Sequence, residues 1–217
     1  DNNTLSKYVL LLTKEENEEV IELTKKLDKE TRLAEEYLNK NIKIAKKLAL
    51  PKRILEQVPK MQSYDNNKNI RLMRYDFHPD INGNWVVTEV NSDVPGGFAE
   101  SSLLPELARK TINVSAVKYT SFGEKMVEAI NNKLYKTGTI MMIHCTCFSD
   151  DRQVMQYMGD RLKKEGYKII YGAADHINFK ENQAYCILDN NQEEIDLIFR
   201  FTPLEWLIQM KPRRWDG

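Results

Sequence analysis

The 217-residue chain holds three cysteines, an odd number and too few to staple a secreted scaffold, so a reducing cytoplasm is its expected setting. Net charge is also missing: Lys+Arg and Asp+Glu both count 32. That balance gives no bulk pull toward nucleic acid or an anionic membrane, and neither is an expected partner. No apolar run approaches the roughly 18 residues of a membrane span, and no signal-peptide pattern opens the chain. Internal repeats, low-complexity tracts, Gly/Ser linkers and a Walker-type phosphate loop are all lacking. His78 stands beside Pro79 with no serine or cysteine arranged as a nucleophile, which argues against a hydrolase triad. The chain starts at Asp1 without a methionine, and its closing KPRRWDG reads as neither helix nor strand. The expectation is the amino-terminal part of a longer protein.

Good helix formers with apolar residues at helical spacing predict a helix from Lys14 to about Asn41, opened by a Thr13/Glu16 capping box. A second helical piece runs from Ile42 to Leu50 and stops at Pro51. Two further helices are expected at Ala99–Leu107 and Phe122–Leu134. Beyond them the pattern alternates. TIMMIHCTC from Thr139 reads as a buried strand, and DDRQVMQYMGDRLKKEG as an amphipathic helix closed by Gly166. YKIIYG is another strand, and QAYCILDNNQEEIDLIFRF is hairpin-like with Asn190-Asn191 in its turn. Strand, helix, strand predicts a βαβ unit, whose ligands gather at the carboxyl ends of the strands.

The chemistry concentrates between Arg71 and Gly97, in RLMRYDFHPDINGNWVVTEVNSDVPGG. Two short strands flank Asn82-Gly83, a dipeptide suited to a two-residue type I′ turn. With that turn Ile81 pairs with Asn84, Asp76 falls opposite Glu89, and Arg74 opposite Asn91. Opposed carboxylates repel, so a positive group is expected between them. Asp76, Glu89 and Asn91 offer the oxygen ligands that Mg²⁺ takes, and Arg74 beside them suits a phosphoryl group. Met73, Tyr75, Phe77, Val86 and Val90 are expected to anchor the hairpin in the core.

Other candidates have plainer readings beside them. Alternation puts His144 on the face opposite Cys145 and Cys147, so HCTC reads as buried strand thiols rather than a zinc fragment. Asp150 and Asp151 read as a helix N-cap with first-turn acid, or as a negative site for an amine. Pro95-Gly96-Gly97 reads as a structural turn before a helix, or as a turn that places backbone amides near a ligand.

Arg74-x-Asp76 followed by Glu89-x-Asn91 and Ser92-Asp93 resembles glutathionylspermidine synthase and its relatives, the circularly permuted ATP-grasp amide ligases. Asp150-Asp151 and FRFTPLEWL with Glu205-Trp206 look like further segments of that family, so the resemblance runs from Arg71 to Trp206. It implies Mg²⁺ ions held by Asp76, Glu89 and Asn91, with ATP as co-substrate. It implies that Arg74 stabilises the transition state, and that Asp150, Asp151 and Glu205 line a pocket for a peptide carboxylate and an amine. The chain departs from the family where Val94 and Gly96 replace serines that touch glutathione, and where Trp206 replaces a threonine. The resemblance therefore does not carry glutathione or spermidine as the substrate pair.

The expected fold is α/β: an ATP-grasp-like fragment with an antiparallel metal-binding hairpin and a Rossmann-like βαβ subdomain. Residues 1–60 form an amino-terminal helical region, 61–135 the core hairpin and helices, and 136–217 the Rossmann-like part. The implied activity is ATP- and Mg²⁺-dependent joining of a carboxylate to an amine. The alternatives are a non-catalytic ligand-binding relative and a metal-dependent phosphohydrolase.

Overall fold

The computed structural model describes residues 6, 8–61, 70–112, 118–134, 136–181, 183–188 and 192–209. The expected turn at Asn190-Asn191 and the closing KPRRWDG lie outside the described residues. The chain divides into two compact units, Asp1–Val90 and Asn91–Gly217. It is mixed α/β, with parallel and antiparallel sheets. Among the described residues no helix is long and apolar enough to cross a membrane.

In the first unit, α1 (Lys14–Lys40) begins where the sequence says it should. The Glu16 N–H donates to Thr13 Oγ1 at 3.1 Å and the Thr13 N–H to Glu16 Oε2 at 2.7 Å, closing the capping box. The next piece is shorter than expected: α2 covers Ile42–Ala45, and one 3₁₀ turn follows over Lys46–Leu48. Ala49 then enters the left-handed region at φ 52°, which ends the run before Pro51. A short α3 (Lys52–Gln57) follows. Strands β1 (Arg74–Pro79) and β2 (Trp85–Asn91) form a two-stranded sheet. Arg71, just ahead of β1, donates to Thr31 Oγ1 of α1 at 3.1 Å and lies 3.9 Å from both Asp28 and Glu35. The Tyr75 and Thr31 hydroxyls meet at 3.4 Å. Met73 and Tyr75 therefore face α1, as an apolar strand face should. Val86 and Val90 do not join them; both are exposed, contrary to expectation.

The second unit opens with α4 (Phe98–Ile112) and α5 (Phe122–Leu134), the latter with the bounds read from sequence. Phe98 gathers the rings of Phe122, Phe199 and Phe201 within 5.5–6.4 Å. The core strand is β3 (Thr139–His144), of which Ile140, Met141 and Met142 are wholly buried. It ends three residues earlier than the buried run that TIMMIHCTC suggested. Helix α6 (Ser149–Lys164) sets Met155, Met158 and Leu162 into the core. Each such side chain contributes about 1.5–3 kcal/mol by leaving water. Gly166, at φ 103°, closes α6 in a Schellman motif: its N–H reaches Lys163 O and the Tyr167 N–H reaches Leu162 O.

Strand β4 (Lys168–Gly172) pairs parallel with β3, completing the expected βαβ unit. The remainder bears out the hairpin reading of QAYCILDNNQEEIDLIFRF only in part, because QAYC pairs antiparallel with EEI while LIFRF goes elsewhere. Strands β5 (Ile177–Lys180), β6 (Gln183–Cys186) and β7 (Glu193–Ile195) make a separate antiparallel sheet. LIFRF leaves it as β8 (Leu197–Phe201) and pairs parallel with β3, giving the order β4-β3-β8. Strand β3, apolar and buried from Ile140 to Ile143, is paired on both edges this way. Asp196 makes the break between β7 and β8, its carboxylate accepting the Thr139 N–H at 2.7 Å.

Candidate functional site

Chemistry-bearing side chains gather in two places, one in each unit. In the first, the turn between β1 and β2 differs from the expected type I′. Asp80 N–H donates to Asn84 O at 2.8 Å and Gly83 N–H to Asp80 O at 3.0 Å, so Ile81, Asn82 and Gly83 form a three-residue loop. Only Gly83, at φ 84°, enters the positive region; Asn82 does not. The Asp80 carboxylate decides this. It accepts the N–H groups of Asn82 and Asn84, each at 2.8 Å, and the Asn84 amide at 3.0 Å. That Asx turn favours a type I turn followed by one left-handed residue.

At the turn the extra loop residue sets Asp80 opposite Asn84. Farther along, the Thr88 hydroxyl donates to Asp76 O at 3.1 Å. The expected positive group between the acids is there, and it is Arg74. Its Nε lies 2.8 Å and its Nη2 3.1 Å from the two Asp76 oxygens, with Nη2 3.8 Å from Glu89 Oε1. This two-pronged contact holds the Asp76 carboxyl below the usual carboxylate range and raises Arg74. The Arg74 and Glu89 side chains stay open to solvent, at 42% and 59% exposure. Asn91 ends β2 two positions beyond Glu89 and is half-buried. Among the described residues no group of three His, Cys, Asp or Glu is arranged to hold a metal ion.

The second place is the carboxyl edge of the parallel sheet. His144 and Phe201, the last residues of β3 and β8, are register partners, so the segments after them leave one edge side by side. The segment after β3 carries Cys145, Cys147 and Phe148, then Asp150 and Asp151 in the first turn of α6. The N-cap is Phe148 with no side-chain bond, so the acids are first-turn residues rather than caps. Asp150 is exposed, while burial pushes the Asp151 carboxyl up, offset by His144. His144 is buried, its Nδ1 has no hydrogen-bond partner among the described residues, and burial pulls its pKa down. The cysteines are not buried strand thiols: they follow the strand's end, Cys145 half-buried and Cys147 exposed.

The segment after β8 enters α7 (Leu204–Leu207), which carries Glu205 and Trp206. Phe148 and Trp206 stack at 5.7 Å between centroids and tie the two segments together. Asp150, Asp151 and Glu205 thus share this edge, framed by two half-exposed rings. Asp93 fastens the same corner. One of its oxygens takes Arg200 Nη2 of β8, and the other accepts the Leu204 N–H at 2.8 Å. Arg200 and Phe148 carry no expected role, and Asp93 was expected only as part of the Ser92-Asp93 segment. The available signal was an acid two residues after the E-x-N segment and an arginine inside an otherwise apolar strand.

A three-stranded parallel sheet flanked by helices makes the second unit an α/β domain, with acids and aromatic rings at its carboxyl edge. The family model "Glutathionylspermidine synthase preATP-grasp" matches residues 3–214. The chain belongs to this family, which is a ligase family. No curated protein matches the chain.

Proposed function

We propose that the chain is part of an ATP- and Mg²⁺-dependent carboxylate–amine ligase, in which a substrate carboxylate takes the γ-phosphoryl group of ATP and an amine then displaces phosphate to form an amide. The observation that carries this reading is the Arg74 guanidinium drawn to both Asp76 and Glu89, in a chain of a ligase family. The donor set fits magnesium, a hard ion that takes carboxylate and amide oxygens and keeps positions for phosphate. Asp76 and Glu89 would hold it, with Asn91 as third oxygen. When bound, the ion neutralises charge on the transferring phosphoryl group.

The chain's own groups supply the rest. Arg74, always charged and held by Asp76, can turn its N–H groups to phosphate oxygens once the acids have another cation. Asp150, Asp151 and Glu205 supply negative charge to receive an ammonium group. Phe148 and Trp206 offer ring faces that favour a cation over a neutral ligand. With Val94 and Gly96 where glutathione-contacting serines stand in the family, the acid is expected to be another carboxylate.

The test is phosphate release by the intact protein that contains this chain, with Mg²⁺, ATP, a panel of peptide carboxylates and a panel of polyamines. Release that needs both an acid and an amine is the expected result. Release without an amine would indicate a phosphohydrolase, and nucleotide binding without turnover would indicate a binding relative.

A further inference from the structure

We propose that Cys145 and Cys147 form a thiol–disulfide exchange site that closes to an intramolecular disulfide, with a small-molecule disulfide as oxidant. Because β3 stops at His144, both thiols sit in the turn that follows, closed by the Phe148 N–H on Cys145 O at 3.1 Å. Their sulfurs already meet at 3.2 Å as free thiols. A disulfide needs about 2.05 Å, so roughly 1 Å of closure within one turn suffices. Exposure assigns the roles: Cys147 is exposed and takes the incoming reagent, and Cys145 is half-buried behind it. Cys186 is buried in the core with Met141 and Ile177 and serves as an internal control.

The exchange balances without a further reactant. The Cys147 thiolate attacks one sulfur of the small disulfide, its S–S bond breaks, and the first small thiolate leaves. Cys145 gives its proton to solvent and attacks Cys147 Sγ; the mixed S–S bond breaks and the second small thiolate leaves. Two protein thiols are oxidised and one small disulfide is reduced to two thiols. The Cys145 thiol is held above its ordinary range, first by its hydrogen bond with Cys147 and then by burial. The second step therefore slows as pH falls. A ring closed over Thr146 alone is strained, and strained disulfides are readily reduced again. The turn also carries Phe148, whose ring leans on Trp206, so the site sits at the ligand edge.

The test treats the reduced chain with hydroxyethyl disulfide and follows intact mass with peptide mapping. The parental chain is expected to lose two hydrogens with no adduct, the link mapping to Cys145–Cys147, and dithiothreitol to restore it. Cys145→Ser is expected to stop at a mercaptoethanol adduct on Cys147, and Cys147→Ser to react about tenfold more slowly or less. A stable Cys147 adduct on the parental chain, a disulfide between two chains, or no reaction at Cys147 overturns the proposal. Labelling of Cys186 would reveal a variant that had lost its fold, and the mapped product of the parental chain then decides alone.

Discussion

Replacing Asp93 by alanine removes two bonds at once: the ion pair to Arg200 and the acceptor for the Leu204 N–H. The Asp93 and Arg200 side chains are about one-third exposed, at 35% and 32%, so the pair lies between a surface ion pair and a buried one. A surface pair contributes up to about 1 kcal/mol. Losing a carboxylate that accepts from a helix's first N–H costs about 1 kcal/mol more. Asp93→Ala should therefore lose about 2 kcal/mol, a fall of roughly 5–10 °C in melting temperature for a unit of this size. Asp93→Asn keeps a neutral acceptor for Leu204 and should lose about half as much. Urea titration followed by circular dichroism measures both, and a cycle with Arg200→Met isolates the pair, with a coupling of about 1 kcal/mol expected. If Asp93→Ala stays within about 0.5 kcal/mol of the parent, or Asn and Ala cost the same, the clasp is not what holds α7 to β8.

Gly159 lies so close to Tyr171 that an added Cβ would stand 2.1 Å from the phenol oxygen. Gly159→Ala should therefore destabilise by about 1–3 kcal/mol despite alanine's better helix propensity, measured by the same denaturation. For Asp151, burial raises the folded-state pKa, so the native state binds more protons and stability falls as pH rises from the ordinary carboxylate range through the raised value. Asp151→Asn should accordingly raise the melting temperature at neutral pH and lose that advantage near pH 3, below about 3.9. For His144 the sign reverses: its lowered pKa costs stability as pH falls below about 6.5, so His144→Phe should flatten acid unfolding there. Charge reversal by Asp150→Lys with Asp151→Lys in the intact enzyme should raise KM for a cationic amine and leave acyl-phosphate formation unchanged; unchanged amine kinetics would leave the pair a first-turn feature only.

Local signals read well. The Thr13/Glu16 box, the Gly166 stop and the bounds of α5 all depend on residues within a turn or two, and all stand where the sequence placed them. What failed was decided by competition or distance. Asn82-Gly83 favours a type I′ turn, but Asp80 two residues earlier offers three hydrogen bonds to another one. The partner of β8 is β3, and the break that frees it depends on Asp196 reaching Thr139, 57 residues away in sequence. The Asp93–Arg200 pair spans 107 residues, and no periodicity reports it. Two acids near one another called for a cation, and Arg74 supplies it.

The central claim is that Glu89 helps to hold magnesium for ATP chemistry. Glu89→Gln keeps the side chain's shape and one oxygen but removes its charge, and it takes from Arg74 only a 3.8 Å contact at an exposed position. The decisive measurement is ATP-dependent phosphate release by the intact protein with acid and amine present, parental against Glu89→Gln, alongside melting temperature without ligand. The account predicts a fall in release by orders of magnitude with the melting temperature nearly unchanged. Release at the parental rate would contradict it and leave the strand pair a charged surface.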